Sequence, residues 1–146
     1  MQSNALLFIT MIASVLISCR KEKQDAGANM ELLTAHEWVV QKEEQKINAG
    51  QWIDEFPFWA PCEKDNRWKF KTNLSMELSE GTNPCGTGTP NQIIDIVTWS
   101  FYDNETKIII EDDTLTITQL DLNTLVLSSV NQFGSNVVQN RITYGH

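Results

Sequence analysis

The sequence predicts an all-β fold, an antiparallel up-and-down meander of eight or nine strands that closes into a small barrel. From residue 38 to the C-terminus, short runs rich in β-branched and aromatic residues alternate with turn signals, and helical periodicity is almost absent. Most links between these runs are only a few residues long, which makes successive strands antiparallel neighbours. A meander of this length avoids exposed edges best by closing on itself.

Each predicted strand ends at a recognisable turn or loop. Asn48-Ala49-Gly50 is typical of a hairpin turn, and the Gly-, Pro- and Asn-rich segment Ser79–Gln92 is a long loop. One brief helical turn is expected around Met30–Ala35. The predicted strands are Trp38–Ile47, Gln51–Asp54, Arg67–Lys71, Leu74–Leu78, Ile93–Tyr102, Lys107–Glu111, Thr114–Gln119, Thr124–Val130 and Asn136–Tyr144.

The first residues of the chain predict export. The run from Asn4 to Ser18 has no charged side chain and is too short to cross a bilayer comfortably, which favours a signal peptide over a permanent membrane helix. It ends in Leu16-Ile17-Ser18-Cys19, which resembles the lipobox of bacterial lipoproteins. The resemblance implies that lipid is attached to Cys19 and that cleavage makes this residue the mature N-terminus. An ordinary secretory signal with an incidental cysteine is the alternative.

Composition divides the chain into three parts. Residues 1–18 are the predicted lipoprotein signal peptide. Residues 19–31 are the lipidated cysteine and a flexible tether, because this polar segment has too little apolar surface to order itself. Residues 32–146 are the predicted barrel domain. Arg20 follows the cysteine where an Asp would favour retention at the inner membrane in some bacteria, which indicates an outer-membrane location, periplasmic or surface-facing.

The chain is acidic, with a formal charge of −8 that lies wholly in the mature protein. Such acidity argues against binding to nucleic acid and against adsorption to anionic lipid. We therefore expect contact with the membrane through the N-terminal lipid alone. The sequence specifies neither a protein nor a glycan partner.

Cys62 and Cys85 remain once Cys19 is assigned to lipid. Two cysteines in a small exported domain are expected to form a disulfide, which would close a loop of about 24 residues. A metal site is the competing interpretation, but the sequence has neither a CxxC motif nor a histidine near either cysteine. No metal or cofactor is therefore expected.

The domain also shows a spaced series of residues from one end to the other: Trp38, Cys62, Trp68, Phe70, Cys85, Trp99, Phe101, the runs 115–117 and 125–127, and Arg141. This order resembles the lipocalin-like domain of bacterial lipoproteins, over roughly Leu32–Tyr144. The resemblance implies a small up-and-down barrel that can enclose a ligand. It also implies that Arg141 packs against Trp38 as a structural pair at one barrel end. Typical lipocalins have Gly where this chain has His36.

Alternation along the strands predicts which side chains face inward. These are Trp38, Trp68, Phe70, Met76, Trp99, Phe101, Ile108, Ile110, Leu115, Ile117, Leu125 and Leu127. If the barrel binds a ligand, the contacts should come from Trp68, Phe70, Met76, Trp99 and Phe101, which favour an apolar or amphipathic molecule. The same bulky side chains make an equally good filled core.

The segment Phe56–Pro61 holds three aromatic residues and two prolines, which is not a strand pattern. It is either a rigid aromatic surface that docks a partner, or a plug in which Phe56 and Trp59 close one barrel end while Cys62 fixes the loop. The plug is the favoured interpretation, because exposed aromatic clusters are costly unless they are used.

Few residues point to catalysis. The histidines are His36 and His146, and no nucleophile motif accompanies them. The acidic runs 103–105 and 111–113 contain calcium-type ligands, but they lack the spacing of an EF-hand and lie where hairpin turns are needed. We therefore expect a non-enzymatic protein that binds a small apolar or amphipathic ligand. The alternative is an interaction module that presents loops to a protein or polysaccharide at the envelope, and an envelope enzyme is a third, weaker hypothesis.

Overall fold

The computed structural model describes residues 27–146, which form a closed β-barrel of eight strands with one additional strand. The predicted signal peptide, Cys19 and most of the predicted tether lie outside the described residues. No helix among residues 27–146 is long and apolar enough to cross a membrane. The elements are α1 (Ala28–Thr34), β1 (Trp38–Ile47), β2 (Ile53–Asp54), a 3-10 helix (Phe56–Phe58), β3 (Arg67–Phe70), β4 (Ser75–Ser79), β5 (Ile93–Tyr102), β6 (Lys107–Ile110), β7 (Asp113–Leu120), β8 (Leu125–Phe133) and β9 (Asn136–Gly145).

The barrel closes where the first strand pairs with the last. β1 and β9 are antiparallel from Val39↔Gly145 to Ile47↔Val138, with a β-bulge between Val40 and Lys42. On its other edge, β1 pairs with β3 near its start, and β2 pairs with it near its end. Every other neighbouring pair is consecutive and antiparallel. The predicted meander and its closure into a barrel are therefore confirmed.

The interior is packed with the side chains that the alternation predicted. All twelve predicted inward residues belong to the core, either buried or packed against it. The aromatic rings meet edge to face, with centroids 5.4 Å apart for Phe70 and Trp99 and 5.2 Å apart for Trp99 and Phe101. Such aromatic pairs contribute beyond the apolar area that they bury. The core also includes Leu33, Val40 and Tyr144, which the prediction did not contain.

Helix α1 closes one end of the barrel, which we call the upper end. It contacts β3 and β7, and the carbonyl of Leu33 accepts a hydrogen bond of 2.9 Å from the indole Nε1 of Trp38. The helix begins at Ala28, so residues 28–31 are ordered although the sequence assigned them to the tether. The physical reason is that Met30 packs against the core and supplies the apolar surface that the other tether residues lack.

The opposite end, which we call the lower end, carries five connections that include the two longest. They are residues 48–52, 55–66, 80–92, 111–112 and 134–135. The upper end carries α1 and the turns 71–74, 103–106 and 121–124. The two ends therefore differ in kind, since one is capped by a helix and the other is built from loops.

Replacing Trp38 with alanine should destabilise the domain by about 3 to 5 kcal/mol, because the substitution leaves a large cavity and removes the donor to Leu33. Trp38 is fully buried. Urea unfolding followed by far-ultraviolet circular dichroism measures the change. The matched control is Leu122→Ala at an exposed turn, which should change the free energy of unfolding by less than about 0.5 kcal/mol. Equal effects of the two substitutions would contradict the assigned core.

Candidate functional site

Two loops at the lower end are held together by a disulfide between Cys62 and Cys85, whose Cα atoms are 5.1 Å apart. The predicted pairing of these cysteines is therefore confirmed. The bond joins residues 55–66 to residues 80–92, and we call these two segments the stapled loops. A bridge that closes a loop of this length contributes about 3 kcal/mol, mainly by restricting the unfolded chain.

A polar contact reinforces the disulfide. The Oδ2 atom of Asp65 accepts hydrogen bonds from the Thr82 hydroxyl at 3.1 Å and from the Asn83 amide at 2.9 Å. The hydrogen bonds from the Asn83 amide and the Thr82 hydroxyl hold the pKa of the Asp65 carboxyl below its ordinary value, although desolvation of the carboxyl acts to raise it. Asp65 lies so close to Gly81 that a Cβ there would collide with it at 2.2 Å. Only glycine fits this approach, so the two loops are packed as well as bonded.

The aromatic segment divides into a buried and an exposed part. Phe56 and Trp59 pack against the core, with ring centroids 5.4 Å apart, and Trp59 Nε1 donates a hydrogen bond of 2.7 Å to Glu43. These two residues therefore act as the predicted plug. Phe58 lies between them in sequence and is 80 % exposed. A single loop thus closes the barrel on one side and presents a phenyl ring on the other.

The five predicted ligand-contacting residues lie together inside the barrel, but they are packed against one another. Phe70, Met76 and Trp99 are buried, whereas Trp68 and Phe101 are partly buried and touch the same core. Trp99 Nε1 donates to the Ser75 carbonyl at 3.1 Å, so its polar group is already satisfied. A ligand at these residues would have to displace packed rings, and the arrangement therefore favours a filled core.

The predicted contact between Trp38 and Arg141 is wrong. The Trp38 ring meets the rings of His36 and His146 at the upper end, whereas the Arg141 guanidinium lies 4.7 Å from the Trp52 ring centroid. Arg141 pairs in register with Glu44, six residues beyond Trp38 on β1. It alternates with Ile142 and Tyr144, which belong to the core, and therefore lies on the outer face of β9.

Glu44 is the buried partner of Arg141. Its side chain accepts hydrogen bonds from Arg141 Nε at 2.9 Å and from Lys42 Nζ at 2.8 Å, and the residue is only 6 % exposed. Burial raises the pKa of this carboxyl, but the bonds from Lys42 and Arg141 outweigh burial and hold the pKa below its ordinary value of 4.5. This cluster has the character of a structural ion pair on the outer wall, beneath Trp52.

Histidines and acidic runs take structural positions. His36 stacks on His146 with ring centroids 4.2 Å apart, next to Trp38. Residues 103–105 and 111–112 form hairpin turns, and Asp103, Asn104, Glu105 and Glu111 have the positive φ angles that such turns require. Within residues 27–146, no group of three or more His, Cys, Asp or Glu side chains could hold a metal ion.

Exposed apolar side chains are concentrated at the lower end, a feature that the sequence reading did not identify. Of the eleven large hydrophobic residues that are exposed among residues 27–146, eight lie in the lower part of the barrel. They are Ile47, Ile53, Phe58, Ile93, Ile94, Ile96, Val130 and Phe133. The other three lie at or beside the upper turns. Exposed apolar side chains gathered at one end of a domain make that end a candidate interaction surface.

Comparison of this chain with protein families, curated proteins and solved structures finds no match. The resemblance to lipocalin-like domains therefore stays a prediction from the sequence.

Replacing Glu44 with glutamine should remove part of the stability that the protein has at neutral pH. Because the folded pKa is lowered, the contribution of Glu44 is present above about pH 4.5 and is lost as the pH falls through the folded value. The difference in unfolding free energy between wild type and Glu44→Gln should therefore shrink as the pH falls below about 4.5. Urea unfolding at each pH measures it.

The matched control is Glu37→Gln, which removes a carboxylate that pairs on the surface with Arg67 and Lys69. Its effect at neutral pH should stay below about 1 kcal/mol. A Glu44 variant whose deficit is constant from neutral to acidic pH would contradict the charged, buried pair.

Proposed function

We propose that this protein is a lipid-anchored, non-enzymatic binding module of the bacterial cell envelope, which presents the lower end of its barrel to a partner. The single observation that carries the proposal is the concentration of exposed apolar side chains at that end. The stapled loops give this end a fixed shape, so that Phe58 is presented on a loop whose neighbours are tied to the core. A preorganised surface loses less conformational entropy when it binds.

The tether supports the same orientation. Cys19 and Gly27 are eight residues apart, a distance of at most about 28 Å when fully extended. Gly27 directly precedes α1, which covers the upper end. A lipid on Cys19 would therefore keep the upper end near the membrane and leave the lower end free to face away from it.

A small ligand in the barrel is the second candidate. The specific observation in its favour is a polar stretch on the inner face of β1 and β9 below the aromatic core, where Gln45 Nε2 donates to Asn140 Oδ1 at 3.1 Å and Glu43 binds Trp59. An amphipathic molecule could place its polar end there. This candidate ranks second because the rings of Phe70, Trp99 and Phe101 already contact one another.

Replacing Cys19 with alanine should move the protein out of the membrane fraction, since one or more acyl chains supply the anchor and the acidic domain has no affinity for anionic lipid. Fractionation of cells and intact-mass measurement test this outcome. Ser18→Ala serves as the control, because it leaves the cysteine in place. A Cys19 variant that still fractionates as a lipidated membrane protein would refute the anchor.

A photo-cross-linking amino acid at position 58 should give a discrete cross-linked product with an envelope component in intact cells. The same amino acid at position 122, an exposed position at the upper end, is the matched control and should give none. Both residues are exposed, so accessibility alone predicts equal yields. Equal yields, or no product at position 58, would overturn the proposed orientation and its interaction surface.

A further inference from the structure

Strand β5 has an unpaired edge at the lower end. Its upper part pairs with β6 from Trp99↔Ile110 to Tyr102↔Lys107, and its lower part pairs on the other side with β4 from Ile93↔Ser79 to Thr98↔Ser75. The chain turns back at residues 111–112, so β6 does not reach the first residues of β5. Among residues 27–146, no strand pairs with Ile93–Val97 on the β6 side. A β-strand edge of about five residues is therefore open.

This part of β5 is also exposed on its faces. The sequence from 93 to 97 reads IIDIV, and Ile93, Ile94 and Ile96 are all exposed, with Ile96 at 59 %. Folded proteins usually shorten, cover or charge such an edge, because an exposed apolar strand is a template for pairing with another chain. An open edge lined by isoleucine is therefore a place where a partner strand is expected.

The main-chain groups of Ile96 point into the open space. The Trp99 amide donates to Leu74 on the β4 side, whereas the Thr98 carbonyl accepts from Glu111 on the β6 side at 3.0 Å. Because the direction alternates along a strand, the Ile96 amide and carbonyl face the same side as those of Thr98. The Ile96 amide has no strand to bond and instead donates to the Asp95 carboxylate at 2.8 Å.

Four acidic side chains lie within or beside this edge on the β6 side, whereas Arg67 and Lys69 share a groove with Ile93 on the β4 side. Asp95 lies within the open segment, and Glu111, Asp112 and Asp113 follow the point where β6 ends. None of these four carboxylates forms an ion pair with a basic side chain of residues 27–146. The described residues as a whole carry a formal charge of −9, because residues 1–26 contribute three basic and two acidic side chains to the chain total of −8.

The charge decides between two occupants of the edge. A second copy of this chain, paired through the same strand about a twofold axis, would bring two sets of four carboxylates together. Like charges placed against one another across an interface are unfavourable. A partner strand with basic side chains would neutralise these carboxylates and would gain main-chain hydrogen bonds at the same time.

We infer that the Ile93–Val97 edge of β5 binds an extended segment of a partner protein in which lysine or arginine residues alternate with apolar residues. The segment extends the sheet by one strand in the space below β6, and the Ile96 amide exchanges the Asp95 carboxylate for a main-chain carbonyl of the partner. This inference rests on the proposed function and names the chemistry of the partner that the lower end would bind.

The test uses the full-length protein in non-ionic detergent micelles and a capped ten-residue peptide of alternating lysine and valine. Binding of the peptide should slow hydrogen exchange of the Ile96 amide by at least about tenfold at saturation, because an amide in a strand ladder is protected. A peptide of alternating glutamate and valine should not bind at equal concentration. Exchange is measured by mass spectrometry on fragments that contain residues 93–97.

Two substitutions at one position separate the main-chain contact from the side chain. Ile96→Pro removes the amide that faces the open edge and leaves the β4 ladder intact, so it should weaken peptide binding by at least about fivefold. Ile96→Thr keeps the amide and a β-branched side chain, and its affinity should stay within about twofold of wild type. Circular dichroism and thermal unfolding verify that both variants fold. If the proline variant does not fold, the double variant Asp112→Asn and Asp113→Asn takes its place. This double variant should weaken binding of the lysine peptide by at least about threefold.

Several outcomes would overturn the inference. They are no protection of Ile96, equal affinity for the acidic peptide, equal affinity of the proline and threonine variants, or protection that arises from self-association of the protein alone. Cross-linking at position 58 separates this inference from the proposed function. Cross-linking at position 58 without peptide binding at β5 would contradict this inference and leave the proposed function standing. Peptide binding at β5 without cross-linking at position 58 would contradict the proposed function and leave the β5 binding site standing.

Discussion

Pairing of β1 with β9 is the constraint on which the rest of the structure depends. The ladder from Val39↔Gly145 to Ile47↔Val138 joins the two ends of the meander and converts a sheet into a barrel with a single interior. The barrel then has two ends, and different elements cover them. The upper end receives α1 and the Trp38 hydrogen bond to Leu33, whereas the lower end receives the long loops. The difference between the two ends therefore follows from closure of the barrel.

The bulge between Val40 and Lys42 shows how one local irregularity moves chemistry from one face to the other. Strict alternation from Trp38 would place Glu44 inside the barrel and Glu43 outside. The extra residue reverses this order, so Glu43 lies opposite Ile142 and reaches Trp59 inside, while Glu44 lies opposite Arg141 on the outer wall. Both carboxylates thereby find donors. The plug at the lower end and the ion pair beneath Trp52 therefore share one cause.

Unequal strand lengths leave part of one strand edge open at the lower end. β6 has four residues and its neighbour β5 has ten, so the lower part of β5 extends past its partner. The disulfide and Asp65 fix the adjoining loops, which hold Phe58 in the open. A barrel with a packed interior thus carries its apolar, accessible surface on one rim. This arrangement suits recognition of an external partner better than enclosure of a small molecule.

The sequence by itself determined the class of fold, the boundaries of most strands and the twelve inward residues, because period-two alternation and turn residues are local signals. The pairing of Cys62 with Cys85 followed instead from the cysteine count, since only these two remain once Cys19 is assigned to lipid. It did not determine that Arg141 lies over Trp52 instead of Trp38, since that contact depends on the register between strands almost a hundred residues apart in the chain and on the bulge within β1. The open edge of β5 was equally hidden, because a strand reads the same whether or not a neighbour reaches it. The local sequence pattern decides whether a segment forms a strand or a turn. Only the closed sheet decides which main-chain groups of a strand remain without a partner strand.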